Sequence, residues 1–203
     1  MPKELESVYR KGWESILNRP GNEKSRALNI LRWAVFAARP LTVSEITEAL
    51  IIPDYEEDKD LLLDEIPDCY NREYVSDRIV DLCASLVEIR AIPREEELES
   101  RTIHLRHFSV REFLVTTDTC EALSDLPYVS SFDRVLQNNY LAAIYLRYLQ
   151  CEPNTEAGTV LLQEKAFYDY AAQFWYQHIS PAGSTYSTLI KFVNEFLEPK
   201  NTF

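Results

Sequence analysis

Glycine is scarce in this chain: among 203 residues only Gly12, Gly21, Gly158 and Gly183 occur. Phosphate-binding loops need several closely spaced glycines, because only a backbone without Cβ can wrap a pyrophosphate, so neither GxxxxGK(S/T) nor GxGxxG can be written. GxSxG is missing as well, which excludes the strand-to-helix elbow of serine hydrolases. Cys69, Cys83, Cys120 and Cys151 lack CxxC spacing, and His104, His107 and His178 form no HxxxH pair, so no zinc ligand set is spelled out. No run of about 18 apolar residues occurs, and no secretory signal precedes the cysteines, which reads as reduced thiols in a cytoplasmic protein. Basic residues are short too. The 21 Lys and Arg against 33 Asp and Glu leave a net charge of −12, the wrong sign for nucleic acid or an anionic membrane.

What is present is an ordinary globular composition, 46% apolar, enough for a core in one domain or two small ones. The negative charge is concentrated. Between Glu45 and Asp68 ten acids face the single Lys59, and residues 52–70, with Pro53 and Pro67, read as an acidic surface insertion holding at most one helical turn. Its carboxylates are paired in sequence but lack an aromatic or glycine-lined cleft to separate their pKa values, so they read as a solvated loop.

Leu5, Val8, Tyr9, Trp13, Ile16 and Leu17 recur at helical spacing and predict a first helix ending before Pro20-Gly21. A second helix, Ser25 to Ala38, is apolar on more than one face, as a central helix should be. Pro40 stops it; Thr42 or Ser44 caps the next, with Glu45 and Glu48 near its positive end. A fourth helix is predicted from Glu73 to Ser85. Strands follow at Leu86–Ile92 and Thr102–Phe108, joined by a charged wing loop, 93–101, long enough to be mobile. Alternation along the second strand puts Ile103, Leu105 and His107 on one face, which aims His107 at the core side. A helix Ser109–Val115 comes next, then helices at Phe132–Leu149, Val160–His178 and Tyr186–Leu197. In the middle one of these, Phe167, Tyr170, Ala171, Phe174, Trp175 and His178 fall at successive three- and four-residue steps.

The order is helix, helix, helix, strand, strand, helix, which is winged-helix order. With Ile30–Ala38 running into Arg39-Pro40-Leu41, then Ile79–Val87, then His107–Leu114, the chain resembles the winged helix that follows the NACHT nucleotide-binding domain in fungal STAND-type signalling ATPases, often just before ankyrin repeats. Residues 140–149 and 169–178 look like the helical region that follows, and 2–17 like the helix joining the ATPase. The resemblance implies a mainly α fold with a small β-hairpin: a linking helix at 1–20, a winged helix at 21–118 and a helical subdomain at 119–203. It also implies a non-enzymatic, cytoplasmic module without cofactor or metal, whose partners are a nucleotide-binding domain and ankyrin repeats. Winged helices of this type are sometimes labelled after a lipid deacylase, a label the missing elbow does not support.

In the related ATPases a histidine at the end of the wing, in a Met-His-Asp-type motif, contacts the nucleotide phosphates. His107 stands at the matching junction, although Phe108-Ser109 follows where the motif has Asp. Imidazole suits the task as a tunable donor to phosphate. The competing reading is a buried histidine bonded to a neighbouring carbonyl, with Ser109 as helix cap. Arg39 and Arg111 are candidate electrostatic helpers. The stripe Phe167, Tyr170, Phe174, Trp175 is either packed core or a groove for a partner. Two other functions stay open: a free-standing protein–protein adaptor, and a DNA-binding winged-helix regulator. The second is disfavoured by Glu73, Asp77 and Asp81 around Arg72 and Arg78 on the fourth helix.

Overall fold

A computed structural model describes residues 3–52, 62–91, 97–116, 132–150, 166–179 and 186–198. In chain order its elements are α1 (Lys3–Leu17), α2 (Gly21–Phe36), α3 (Val43–Leu50), a 3-10 turn (Leu63–Glu65) and α4 (Arg72–Val75), which runs into a π turn (Ser76–Val80). Next come β1 (Val87–Arg90), β2 (Thr102–Leu105), α5 (Phe108–Thr116), α6 (Arg134–Gln150), α7 (Ala166–Phe174) with a 3-10 extension (Trp175–His178), and α8 (Tyr186–Leu197). The fold is therefore mostly helical with one antiparallel hairpin: a winged helix followed by a helical region.

Helix α2 is the pivot. Ala27, Leu28, Ile30, Leu31, Trp33, Val35 and Phe36 are all buried, and they cover more than one face of the helix. It ends where Ala37 turns extended. The next helix starts as its sequence foretells. Thr42 accepts from the Glu45 amide, and the Glu45 carboxylate accepts from the Thr42 amide, a reciprocal capping box.

The hairpin register pairs Val87 with Leu105 and Ile89 with Ile103 on the apolar face, and Glu88 with His104 on the other. A short stretch before α3 extends the sheet. Thr42 bridges Thr102, and the Ile103 amide donates to the Leu41 carbonyl at 2.8 Å. The base of the wing loop is also anchored. The Arg101 and Glu99 carbonyls accept from the amides of Val43 and Ser44, so this part of the loop cannot be the mobile wing the sequence predicts. Ile92 at the end of the expected first strand, residues 93–96 of the loop and 53–61 of the acidic insertion lie outside the described residues.

The fourth helix departs most from expectation. In place of one helix from Glu73 to Ser85, four α residues widen into the π turn, and the chain leaves through Ala84 and Ser85, both left-handed at φ 47° and 63°. A π turn puts carbonyls out of the α ladder, and arginines from outside take them up. Arg26 Nε donates to the Arg78 carbonyl at 3.1 Å, and an Arg19 terminal nitrogen donates to the Asp81 carbonyl at 2.6 Å. Gly12 of α1 lies against this segment, where an added Cβ would stand 3.4 Å from the Ala84 carbonyl.

The winged helix and the helical region share one core. The Trp33 ring meets Tyr145 of α6 and Phe167 of α7 edge-on, each at 5.3 Å, while Trp13 of α1 meets Phe132 at 5.9 Å. Arg32, 1% exposed, is held inside by Gln137 Oε1 at 2.5 Å and by Asn29, with its guanidinium 3.9 Å from the centre of the Tyr140 ring. Among the described residues no helix is long and apolar enough to cross a membrane.

Candidate functional site

The junction between β2 and α5 does not keep the strand going, and this decides where His107 points. The paired register ends at Leu105, with one last bond from the Arg106 amide to the Leu86 carbonyl at 3.0 Å; Arg106 and His107 then bend into α5, so alternation no longer applies and His107 is exposed. The expectation that it faces the core is thus overturned, and with it the reading of a buried histidine bonded to a carbonyl. His107 itself caps α5. Its Nδ1 accepts from the Ser109 amide at 3.3 Å, while Ser109, expected as the cap, sits one turn position inside the helix and is buried.

The hydrogen-bond directions follow. An amide N–H can only donate, so this contact, together with the shorter one to the Ser109 hydroxyl, suits the tautomer with Nδ1 bare and the proton on Nε2. The Ser109 hydroxyl therefore donates to Nδ1 at 2.7 Å, which leaves its oxygen to accept from the Tyr9 hydroxyl of α1 at 2.9 Å. The result is a directed chain, Tyr9 to Ser109 to His107, with Nε2–H presented outward. No tertiary contact marks this relay in the sequence, because Tyr9 is 100 residues from Ser109.

Phe108, 78% exposed, has its ring 4.3 Å from that of His107. Arg106, the residue before His107, and Arg111, on the first turns of α5, are exposed, as is Glu112. Neither arginine makes an ion pair among the described residues. Arg106 and Arg111 outnumber Glu112 in this stretch of an acidic protein, and α5's N-terminal end adds partial positive charge. Arg39 does not join it. Its guanidinium clamps the Glu45 carboxylate through two bonds, at 2.6 and 2.8 Å, and lies 4.7 Å from the centre of the Tyr170 ring, while Tyr170 accepts from the Ala38 amide. The Glu45 hydrogen bond and charge hold the Arg39 pKa above its ordinary value against the opposing effect of burial.

The aromatic stripe divides. Phe167 and Tyr170 are fully buried and offer no surface to a partner; Phe174 and Trp175 are half-buried at its end, where α7 tightens to a 3-10 turn and the stripe loses its helical spacing. His178 closes that turn, buried. Its Nδ1 donates to Asn138 Oδ1 at 2.7 Å, a direction fixed because the Asn138 amide group donates to the Arg134 carbonyl. Burial pushes the His178 pKa down to about 4, so it is neutral at pH 7.

Glu48, expected near the N-terminus of its own helix, serves another. One carboxylate oxygen accepts from the Ala166 amide at 2.9 Å, the other from the Phe167 amide at 3.0 Å and the Tyr148 hydroxyl at 2.6 Å. Glu65 of the acidic insertion is not simply solvated: Arg26 and Arg78 share its carboxylate at 3.2 and 2.5 Å. Among the described residues no group of three or more His, Cys, Asp or Glu is placed to hold a metal ion. Burial holds the Cys83 thiol well above its ordinary pKa, while Cys69 is exposed.

A relative from Monascus ruber, azaphilone pigments biosynthesis cluster protein L, is 25% identical over 181 residues, covering 88% of this chain. The chain spans 35% of that protein's length. No solved structure matches at a significant level. The family model described as GPI inositol-deacylase, winged helix domain, matches residues 16–125, from the end of α1 past α5. With that match over more than half of its length, the chain belongs to the GPI inositol-deacylase winged-helix domain family.

Proposed function

We propose that the chain is a non-catalytic regulatory module of a STAND-type NTPase, in which the winged helix contacts a nucleotide held by a neighbouring domain and the helical region passes the change to a downstream repeat sensor. The observation that carries this reading is the exposed His107 imidazole, with Nδ1 occupied by its own helix, in a stretch where Arg106 and Arg111 are also exposed. A neutral donor in a stretch with two cations matches a phosphate oxygen in charge and hydrogen-bonding sense. The mechanism is a two-state equilibrium, biased because the phosphate is contacted in one arrangement and released in the other. Arg111 acts in the contact, and Arg39 supports it indirectly by fixing the α2–α3 junction.

The alternative is a protein–protein adaptor, favoured by Phe108 and Val115, which are both exposed on α5. DNA binding fits poorly, since Arg78 in the recognition-helix position is engaged by Glu65. Calorimetric titration of ADP and ATP with magnesium separates the readings, using the chain alone and the chain extended upstream through the adjoining genomic sequence. Binding is expected only in the extended protein, weakened about 10-fold or more by His107→Ala, as loss of one charge-assisted phosphate contact entails. Equal affinity in wild type and His107→Ala would sink the nucleotide contact.

A further inference from the structure

Three buried or half-buried polar groups link the exposed face of His107 to the first helix. The Tyr9 hydroxyl belongs to α1, the Ser109 hydroxyl to α5, and His107 Nδ1 to the turn between β2 and α5. Tyr9 and Ser109 are 8% and 4% exposed, so water is a poor substitute for either partner. The Tyr9 ring is held separately, tilted against Phe113 of α5 at 5.8 Å. Removing the hydroxyl alone therefore leaves the helix packing in place.

We propose that Tyr9 and Ser109 are positioning residues for His107, and that the seating of α1 on α5 sets which ring nitrogen of His107 carries the proton and hence whether the exposed nitrogen is a donor. With α1 seated, Tyr9 donates to Ser109, the Ser109 proton is directed at Nδ1, and Nε2–H faces outward as a donor for an anionic oxygen. With α1 displaced, the Ser109 hydroxyl is free to turn and Nδ1 keeps only the longer amide contact at 3.3 Å, so its hold on the tautomer weakens and the ring is freer to exchange and swing. The exposed nitrogen then presents a lone pair part of the time and repels the same oxygen. The first helix thus regulates the contact by its docking, without touching the ligand. This inference rests on the reading of His107 as the phosphate contact, but its test needs no nucleotide.

The experiment is 15N NMR of the histidine side chains in the chain alone, above the range in which imidazole titrates, for wild type, Tyr9→Phe and Ser109→Ala. Only three histidines contribute, and His178, buried against Asn138 and Tyr145 of α6, reports whether each variant is folded. In wild type the two His107 nitrogens are expected to be widely separated, one bearing the proton and one not. In both variants they are expected to draw together as the tautomers mix, with the His178 signals unmoved. A shift in Ser109→Ala but not in Tyr9→Phe would overturn the proposal, because the cap would then be local and α1 without influence. No shift in either variant would overturn it as well. If the signals draw together while His107→Ala leaves nucleotide affinity unchanged, the nucleotide reading falls and the link from α1 to an exposed donor stands.

Discussion

His178 and His107 show how differently one residue type behaves when its two nitrogens are assigned by their partners. His107 keeps its proton on the outward nitrogen; His178 keeps it on Nδ1, facing Asn138, in a site that disfavours charge. The folded pKa of His178, about 4, lies below the ordinary 6.5, so between these values the unfolded chain binds more protons. Its contribution to stability is complete above pH 6.5 and is lost as pH falls toward 4, amounting to up to about 3 kcal/mol. Urea unfolding of wild type and His178→Gln across that window is expected to show a smaller acid loss in the variant; parallel curves would count against the assignment. His104 has its pKa lowered in the same direction by burial and Arg90, which is why the comparison is with a His178 variant. The sequence placed His178 on the buried stripe correctly, but it could not reveal Asn138. For His107 the alternation argument failed because strand pairing ends two residues earlier, a boundary fixed by α5's cap and not by hydropathy.

Helix starts were legible where cap and capped helix adjoin in the chain, and hidden where they do not. Thr42 and Glu45 announce α3 through their spacing, and the structure completes both bonds. α7, by contrast, begins at Ala166 with no cap of its own described; its first amides are taken by Glu48, 118 residues earlier. A carboxylate there meets two N–H donors, a hydroxyl and the positive end of the helix. Glu48→Gln turns an acceptor-only group toward three donors, one of which must face an NH2, at an expected cost of about 2–3 kcal/mol. Denaturant unfolding measures that loss, and hydrogen exchange at the start of α7 should rise with it. A loss confined to α3 amides would show the bond to be incidental. The π turn was equally unreadable, since Arg26, which bonds the Arg78 carbonyl within it, and Arg19, which bonds the Asp81 carbonyl just after it, come from α2 and from α1's exit.

At the scale of the molecule, winged-helix order and the helices after it could be read from periodicity, whereas their union could not. No pattern within α2, α6 or α7 says that Trp33, Tyr145 and Phe167 meet. Because they do, the winged helix and helical region share a buried aromatic cluster, and separating them would expose Trp33. The chain is accordingly expected to unfold in one transition, with far-ultraviolet circular dichroism and tryptophan emission superimposing. Two resolved transitions would show that the shared core does not couple the halves. The three tryptophans also occupy three different seams: Trp13 where α1 meets Phe132, Trp33 between the two regions, and Trp175 against Phe196 of α8. Retaining one indole at a time gives the protein its own optical gauges. Each registers the parting of a single seam, so the order in which the seams open from the first helix to the last can be timed without attaching a label.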